Sequence, residues 1–109
     1  MGFVLVRGLS VKNKTDKDLL RLSAKAAGLG VIDLLRDDSW NPLEYNNQAF
    51  ELMVELKFRV DHVYAYKQQV MVGDGEYWAI VPYDGDPLAA TRRAIVMAAA
   101  KLAEGRYGH

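Results

Sequence analysis

The stretch DGDPLAATRRAIVMAAAKLA, residues 84–103, sets two guanidinium groups side by side, Arg92 and Arg93. Adjacent arginines suit a phosphate or carboxylate ligand, because the planar guanidinium fork pairs with both. The same groups can also tie a helix to carbonyls and carboxylates of its own fold. Helical spacing separates the two residues. At about 100° per residue, measured from Leu88, Arg92 lies about 40° from the apolar midline and Arg93 about 140° from it. A guanidinium beside a packed face must find partners there, since an unpaired buried charge is costly. Arg92 is therefore expected to tether the helix and Arg93 to point outward or sideways, with an anion site as the alternative.

Other chemistry is thinly represented. The only histidines are His62 and His109, and neither has a partner at metal-ligand spacing. Asp74, Glu76, Asp84 and Asp86 offer hard oxygen ligands, but turn formation and helix capping account for them more simply. The chain has no GxSxG, no P-loop and no GxGxxG. Cysteine is absent, which removes disulfides, thiolate metal sites and thiol nucleophiles. No catalytic residue, metal or cofactor is expected. The aromatic residues Trp40, Tyr45, Tyr64, Tyr66, Tyr77, Trp78 and Tyr83 gather around one region of the sequence. Tyr66 and Trp78 are expected in the core of a sheet. Trp40, beside Asn41, and Tyr83 lie near element ends, where aromatic surface serves contacts. The candidate binding residues are Trp40, Asn41, Tyr83, Arg92 and Arg93.

Three helices and a hairpin have to position them. TDKD at residues 15–18 sets a hydroxyl cap and an acidic N3 position before Leu19, Leu22 and Ala26, so helix one is expected over about 16–27, ending at Gly28. Val31–Leu35 reads as a short strand or packed loop, and Phe3–Val6 as a short strand or arm. Asn47–Lys57 predicts a second helix with Ala49, Phe50, Met53, Val54 and Leu56 inward. RVDHVYAYKQQVMV and EYWAIVPY read as a hairpin around Gly73-Asp74-Gly75, pairing Val70 with Trp78. Both faces of that hairpin are then apolar, which demands cover on each side. Asp86 as N-cap and Pro87 at N1 open the last helix, with Gly105 as its stop.

Composition bounds the rest. With 109 residues, half of them hydrophobic and 26% charged, the chain is expected to form one soluble domain over 1–109, with 1–14 as a possible arm or strand. The apolar run at the start is too short for a secretory signal, and no segment has the length of a membrane span. A cytoplasmic location follows as the expectation. Formal charge is zero, yet residues 1–25 hold six basic residues against two acidic, and the remainder eight against twelve. Without an overall basic excess, nucleic acid is not an expected partner.

The segment SWNPLEYNNQAFELMVEL, the hairpin and DPLAATRRAIVMAAA, in this order, resemble the phage ABA-sandwich (NinX-like) family of small phage and prophage proteins. The matching positions are Trp40, Asn41 and Pro42, then Asp86, Pro87, Arg93, Ala94 and Ile95. The resemblance covers about Thr15 to Leu102 and implies an α+β fold, a three-layer α-β-α sandwich with a small antiparallel, hairpin-centred sheet. It implies no reaction. The expected role is an accessory protein that binds a host or phage protein, a host defence or regulatory component among the candidates, in a host bacterial cell. A small-ligand or nucleotide-binding module using Arg92 and Arg93 is the alternative. Because the hairpin edges lack cover, a homodimer through the hairpin or the alanine-rich helix is also expected.

Overall fold

The computed structural model describes residues 14–29, 39–63 and 68–107. The fold is α+β, with three helices and a three-stranded antiparallel sheet among these residues. In chain order they are α1 (Asp16–Ala26), α2 (Asn46–Glu55), β1 (Arg59–Val63), β2 (Gln69–Gly73), β3 (Trp78–Pro82) and α3 (Pro87–Tyr107). The expected strand segments Phe3–Val6 and Val31–Leu35, together with Tyr64, Tyr66 and His109, lie outside the described residues.

α1 begins and ends where its residues require. Thr15 accepts the Asp18 amide at 3.1 Å, which satisfies a free donor of the first turn. That hydroxyl, with Arg21, holds the Asp18 carboxyl below the ordinary carboxylate range. At the other end Gly28 takes φ +76, while the Leu29 amide reaches the Ala24 carbonyl at 2.9 Å and the Gly28 amide reaches Lys25 at 3.1 Å. These two bonds make a Schellman cap. α2 closes the same way, with Lys57 at φ 57 and the Phe58 amide on the Met53 carbonyl at 3.0 Å. The expected inward set of α2 needs correction. Ala49 and Leu52 are buried, but Phe50 is 62% exposed and Val54 54% exposed.

The hairpin reading is also corrected. The stretch taken as one long strand contains two, β1 and β2, paired antiparallel with His62 opposite Val70. β2 then pairs β3 with Val70 opposite Val81, not Trp78, and Gly73 opposite Trp78. The cause is the loop. Asp74 Oδ1 accepts the amides of Glu76 and Tyr77, each at 2.9 Å, and closes a four-residue connection over 74–77. Gly73 is thereby a strand residue, and a Cβ there would overlap the Tyr77 carbonyl and the Trp78 ring. The displacement is an odd number of residues, so side chains on β3 exchange faces relative to β2. Val70, Val72 and Ala79 are buried together, with Val60 and Val81 packed against the same core. Trp78 is half-buried and Ile80 exposed, on the other face.

α3 is the central element. It packs broadly on β2, β3, α1 and α2. Every residue from Ala94 to Ala100 is buried, so the helix is enclosed around its whole circumference. Alanine makes this possible, because small side chains let the sheet and both helices approach its axis. The helix starts as expected, with Asp86 Oδ1 accepting the Ala89 amide at 3.0 Å ahead of Pro87. Its end differs. Gly105 does not stop the helix but lies inside it, where a Cβ would overlap the Tyr77 ring.

Candidate functional site

Two of the sequence candidates, Tyr83 and Arg93, lie at the head of α3. β3 leads into the helix through a tight turn in which Asp84 and Gly85 both take positive φ, 54 and 87, and the Asp86 amide bonds the Tyr83 carbonyl at 2.9 Å. Two successive positive φ values make a type I′ turn, which Asp-Gly tolerates at low cost. The turn lets Asp86 cap α3 and leaves a shallow cleft of about 310 Å³ beside it. Val81, Pro82, Ala89 and Ala90 form its apolar lining, with Tyr83, Asp84, Asp86 and Arg93 around them.

Tyr83 is half-buried against the core. Its amide bonds the Gln68 carbonyl at 2.8 Å, extending the β2–β3 ladder by one residue. Its hydroxyl lies 2.5 Å from Nδ1 of His62, with the rings 5.8 Å apart. His62 had no partner in the sequence. The pairing appears only once β1 is known to be a separate strand that sets His62 opposite Val70.

Arg92 and Arg93 diverge. Arg92 Nε donates to the Leu43 carbonyl at 2.7 Å, and Nη1 to Asn46 Oδ1 at 2.8 Å. Both acceptors belong to the entry of α2, so Arg92 ties that helix to α3. Arg93 Nη2 donates to Asp16 Oδ1 at 2.9 Å and ties the first residue of α1 to the same turn of α3. The two guanidiniums thus serve different helices.

Trp40 and Asn41 belong to the Arg92 side. Trp40 is half-buried against the core. The Asn41 amide donates to Gln48 Oε1, and Gln48 Nε2 returns a bond to the Ser39 carbonyl at 2.9 Å. Asn41 Oδ1 accepts the Leu43 amide at 3.2 Å, and its carbonyl takes the amides of Glu44 and Tyr45. With Pro42 fully buried, the segment clips onto α2. The five candidates therefore form two groups, Trp40, Asn41 and Arg92 at the α2 entry and Tyr83 with Arg93 at the cleft.

Chemically the cleft is a shallow surface depression lined by both apolar and charged residues. Asp84 and Asp86 carry negative charge beside the N-terminus of α3, and Arg93 shares its charge with Asp16. Among the described residues no three His, Cys, Asp or Glu side chains lie close enough to hold a metal ion, so Asp74, Glu76, Asp84 and Asp86 do not assemble. No described helix is long and apolar enough to cross a membrane. No protein-family model matches the chain, and neither the curated proteins nor the solved structures yield a match.

Proposed function

We propose that the chain is a small, non-catalytic phage or prophage accessory protein that binds a host macromolecule through the head of α3. The observation that carries this reading is Leu88. It is 64% exposed in the first turn of α3, next to Ala89 of the cleft lining. An exposed large apolar side chain next in sequence to a residue of a cleft lined by apolar and charged side chains suits a protein contact, where a few anchors hold most of the binding energy. A host defence or regulatory protein, met in the bacterial cytoplasm, is the partner this reading takes. The lineage rests on Trp40, Asn41, Pro42, Asp86, Pro87, Arg93, Ala94 and Ile95. The three-layer arrangement belongs to the same reading, with a second layer over Met71, Trp78 and Ile80; the exposed, apolar Ile80 supports it. So does a homodimer, with the enclosed helix α3 set aside as its contact.

The alternative, a nucleotide or small-anion module, requires Arg92 to leave Leu43 and Asn46 and Arg93 to leave Asp16. Capture from bacterial lysate, paired with native mass spectrometry, separates the two. The expected result is a protein retained by the wild type and lost by Leu88→Asp, a variant that keeps its fold because Leu88 is exposed. A co-purified small molecule, with no protein whose capture depends on Leu88, would overturn the proposal.

A further inference from the structure

The two edges of the sheet differ in what they leave unpaired. The Tyr83 amide bonds the Gln68 carbonyl and the Asp74 amide bonds the Tyr77 carbonyl, which fixes the alternation of the β2–β3 ladder. Val70 and Val72 therefore turn their backbone groups to Val81 and Ala79 of β3. Gln69, Met71 and Gly73 turn theirs the other way, to Val63, Asp61 and Arg59 of β1. The outward backbone groups are then those of Trp78, Ile80 and Pro82 on β3, and of Val60 and His62 on β1.

β3 is guarded. Lys101 occupies the outward Trp78 carbonyl, and Pro82 has no amide to donate. β1 carries no such guard among the described residues. Val60 and His62 each present a donor and an acceptor to that side. Among the described elements β1 packs broadly on β2 alone, and α2 on α3 alone, so neither helix covers the edge. An open edge of this kind is a template for another strand.

The side chains of β1 select which strand. Val60 packs on the core, so Arg59 and Asp61 stand together on the opposite face. Their own contact is long and exposed, 3.5 Å from Arg59 Nε to Asp61 Oδ2. It leaves both Nη groups and Oδ1 without a bond among the described residues. Charges on an edge ordinarily repel a second copy, but here the two signs alternate. When β1 pairs with itself antiparallel about Val60, Arg59 of each copy lies opposite Asp61 of the other. Opposite charges directly across a ladder attract, and like charges repel. Pairing about Asp61 would instead set the two Asp61 carboxylates against each other. Lys57, also exposed, falls opposite the uncharged Val63 in the Val60 register. We propose that β1 pairs with β1 of a second copy, antiparallel about Val60, and joins the two sheets into one. This inference rests on the homodimer reading and adds the contact that makes it.

Charge exchange tests it, with mass followed by light scattering over a dilution series. Wild type is expected to dimerise. Arg59→Glu and Asp61→Arg each set like charges across the axis twice, and each is expected to weaken association by about tenfold or more. The exchanged protein, Arg59→Glu with Asp61→Arg, restores both pairs and returns to the wild-type dissociation constant. An equimolar mixture of the two single variants also regains the dimer mass, because both contacts are attractive in the mixed pair. Hydrogen exchange followed by NMR is expected to show the Val60 amide protected in the dimer and fast in the single variants. Both altered side chains are exposed, and circular dichroism checks each fold. A monomeric wild type at high micromolar concentration overturns the dimer and its contact together. Three results overturn this edge while leaving dimerisation through another surface: a dimer indifferent to the single variants, an exchanged protein that stays monomeric, or a Val60 amide equally fast in dimer and monomer. Capture through Leu88 is a separate readout, so failure of this contact leaves that reading standing.

Discussion

The ring of Tyr77 lies against the bare backbone of Gly105, in the space that a Cβ on that residue would need. Tyr77 belongs to the hairpin loop that Asp74 closes, and Gly105 to the last turns of α3, so this contact joins the tip of the sheet to the end of the central helix. Lys101, one turn earlier, adds a bond from its ammonium to the Trp78 carbonyl at 2.5 Å. Together the contacts hold the hairpin loop and the first residue of β3 on the C-terminal part of α3, away from the cleft at its head.

Gly105→Ala should therefore change sign with its surroundings. Alanine inside a helix is favoured over glycine by about 0.5–1 kcal/mol. In the wild-type background the new methyl must displace the Tyr77 ring, and the substitution is expected to destabilise. In a Tyr77→Ala background the obstruction is gone, and the same change should stabilise by about the intrinsic amount. Urea unfolding of the four proteins gives the coupling directly. The same sign in both backgrounds would rule out the ring as the cause.

The two arginines should separate in a stability measurement. Arg92→Ala leaves the Leu43 carbonyl without its donor in a part-buried position and removes an exposed bond to Asn46, a loss of about 1–3 kcal/mol. Arg92→Lys should recover little of it, because a point charge cannot reach both acceptors in the geometry of the fork. Arg93 and Asp16 are side chains 41% and 63% exposed, and such a pair is worth about 0–1 kcal/mol. Equal small losses for both arginines would refute the tether.

Asp86→Ala removes the side-chain acceptor for the Ala89 amide and is expected to cost about 0.5–2 kcal/mol. For a domain near this size each kcal/mol lowers the melting temperature by about 4–8 °C. Asp86→Asn should melt close to wild type, since asparagine caps a helix comparably. If the asparagine variant fell as far as the alanine one, the charge at the cleft rim and not the cap would be the stabilising feature.

Local signals were the legible part of the fold. Thr15, Gly28, Asp86 and Pro87 each announce a helix end through a short-range backbone requirement, and each lies at that end. What stayed hidden depended on partners distant in sequence. Gly105 has the look of a helix stop, yet its meaning comes from Tyr77. Gly73 and Gly75 flank Asp74 as in a short turn, but the Asp74 carboxylate decides the register by choosing the amides of Glu76 and Tyr77. α2 closes on Lys57 in a left-handed conformation that favours glycine, so no residue type marks its end. Its apolar residues nearly surround it, so the pattern alone did not show that Phe50 and Val54 face out. In the candidate region, helical angles counted from Leu88 start from a residue that is 64% exposed instead of packed, and Leu43, Asn46 and Asp16 as acceptors of the two arginines required the packed fold.

The hairpin loop should carry part of the acid sensitivity. Partial burial pushes the Asp74 carboxyl upward, but the amides of Tyr77, Glu76 and Asp74 itself, with the charge of Arg106, outweigh it and hold the group below its ordinary value of 3.8. A carboxyl depressed in the folded state binds its proton more readily when unfolded. Its contribution is therefore complete above the unfolded value and is lost as pH falls through the lower folded one. Urea midpoints are expected to fall in wild type as pH drops from about 5 through the unfolded carboxyl value and below it, with Asp74 responsible for part of the fall. Asp74→Asn keeps an acceptor for both amides but has no proton to gain. Its midpoint should start at or below wild type near neutrality and decline less over the same interval. Parallel declines in the two proteins would show that Asp74 adds nothing to acid unfolding, and the loop would then owe its geometry to hydrogen bonding without the charge.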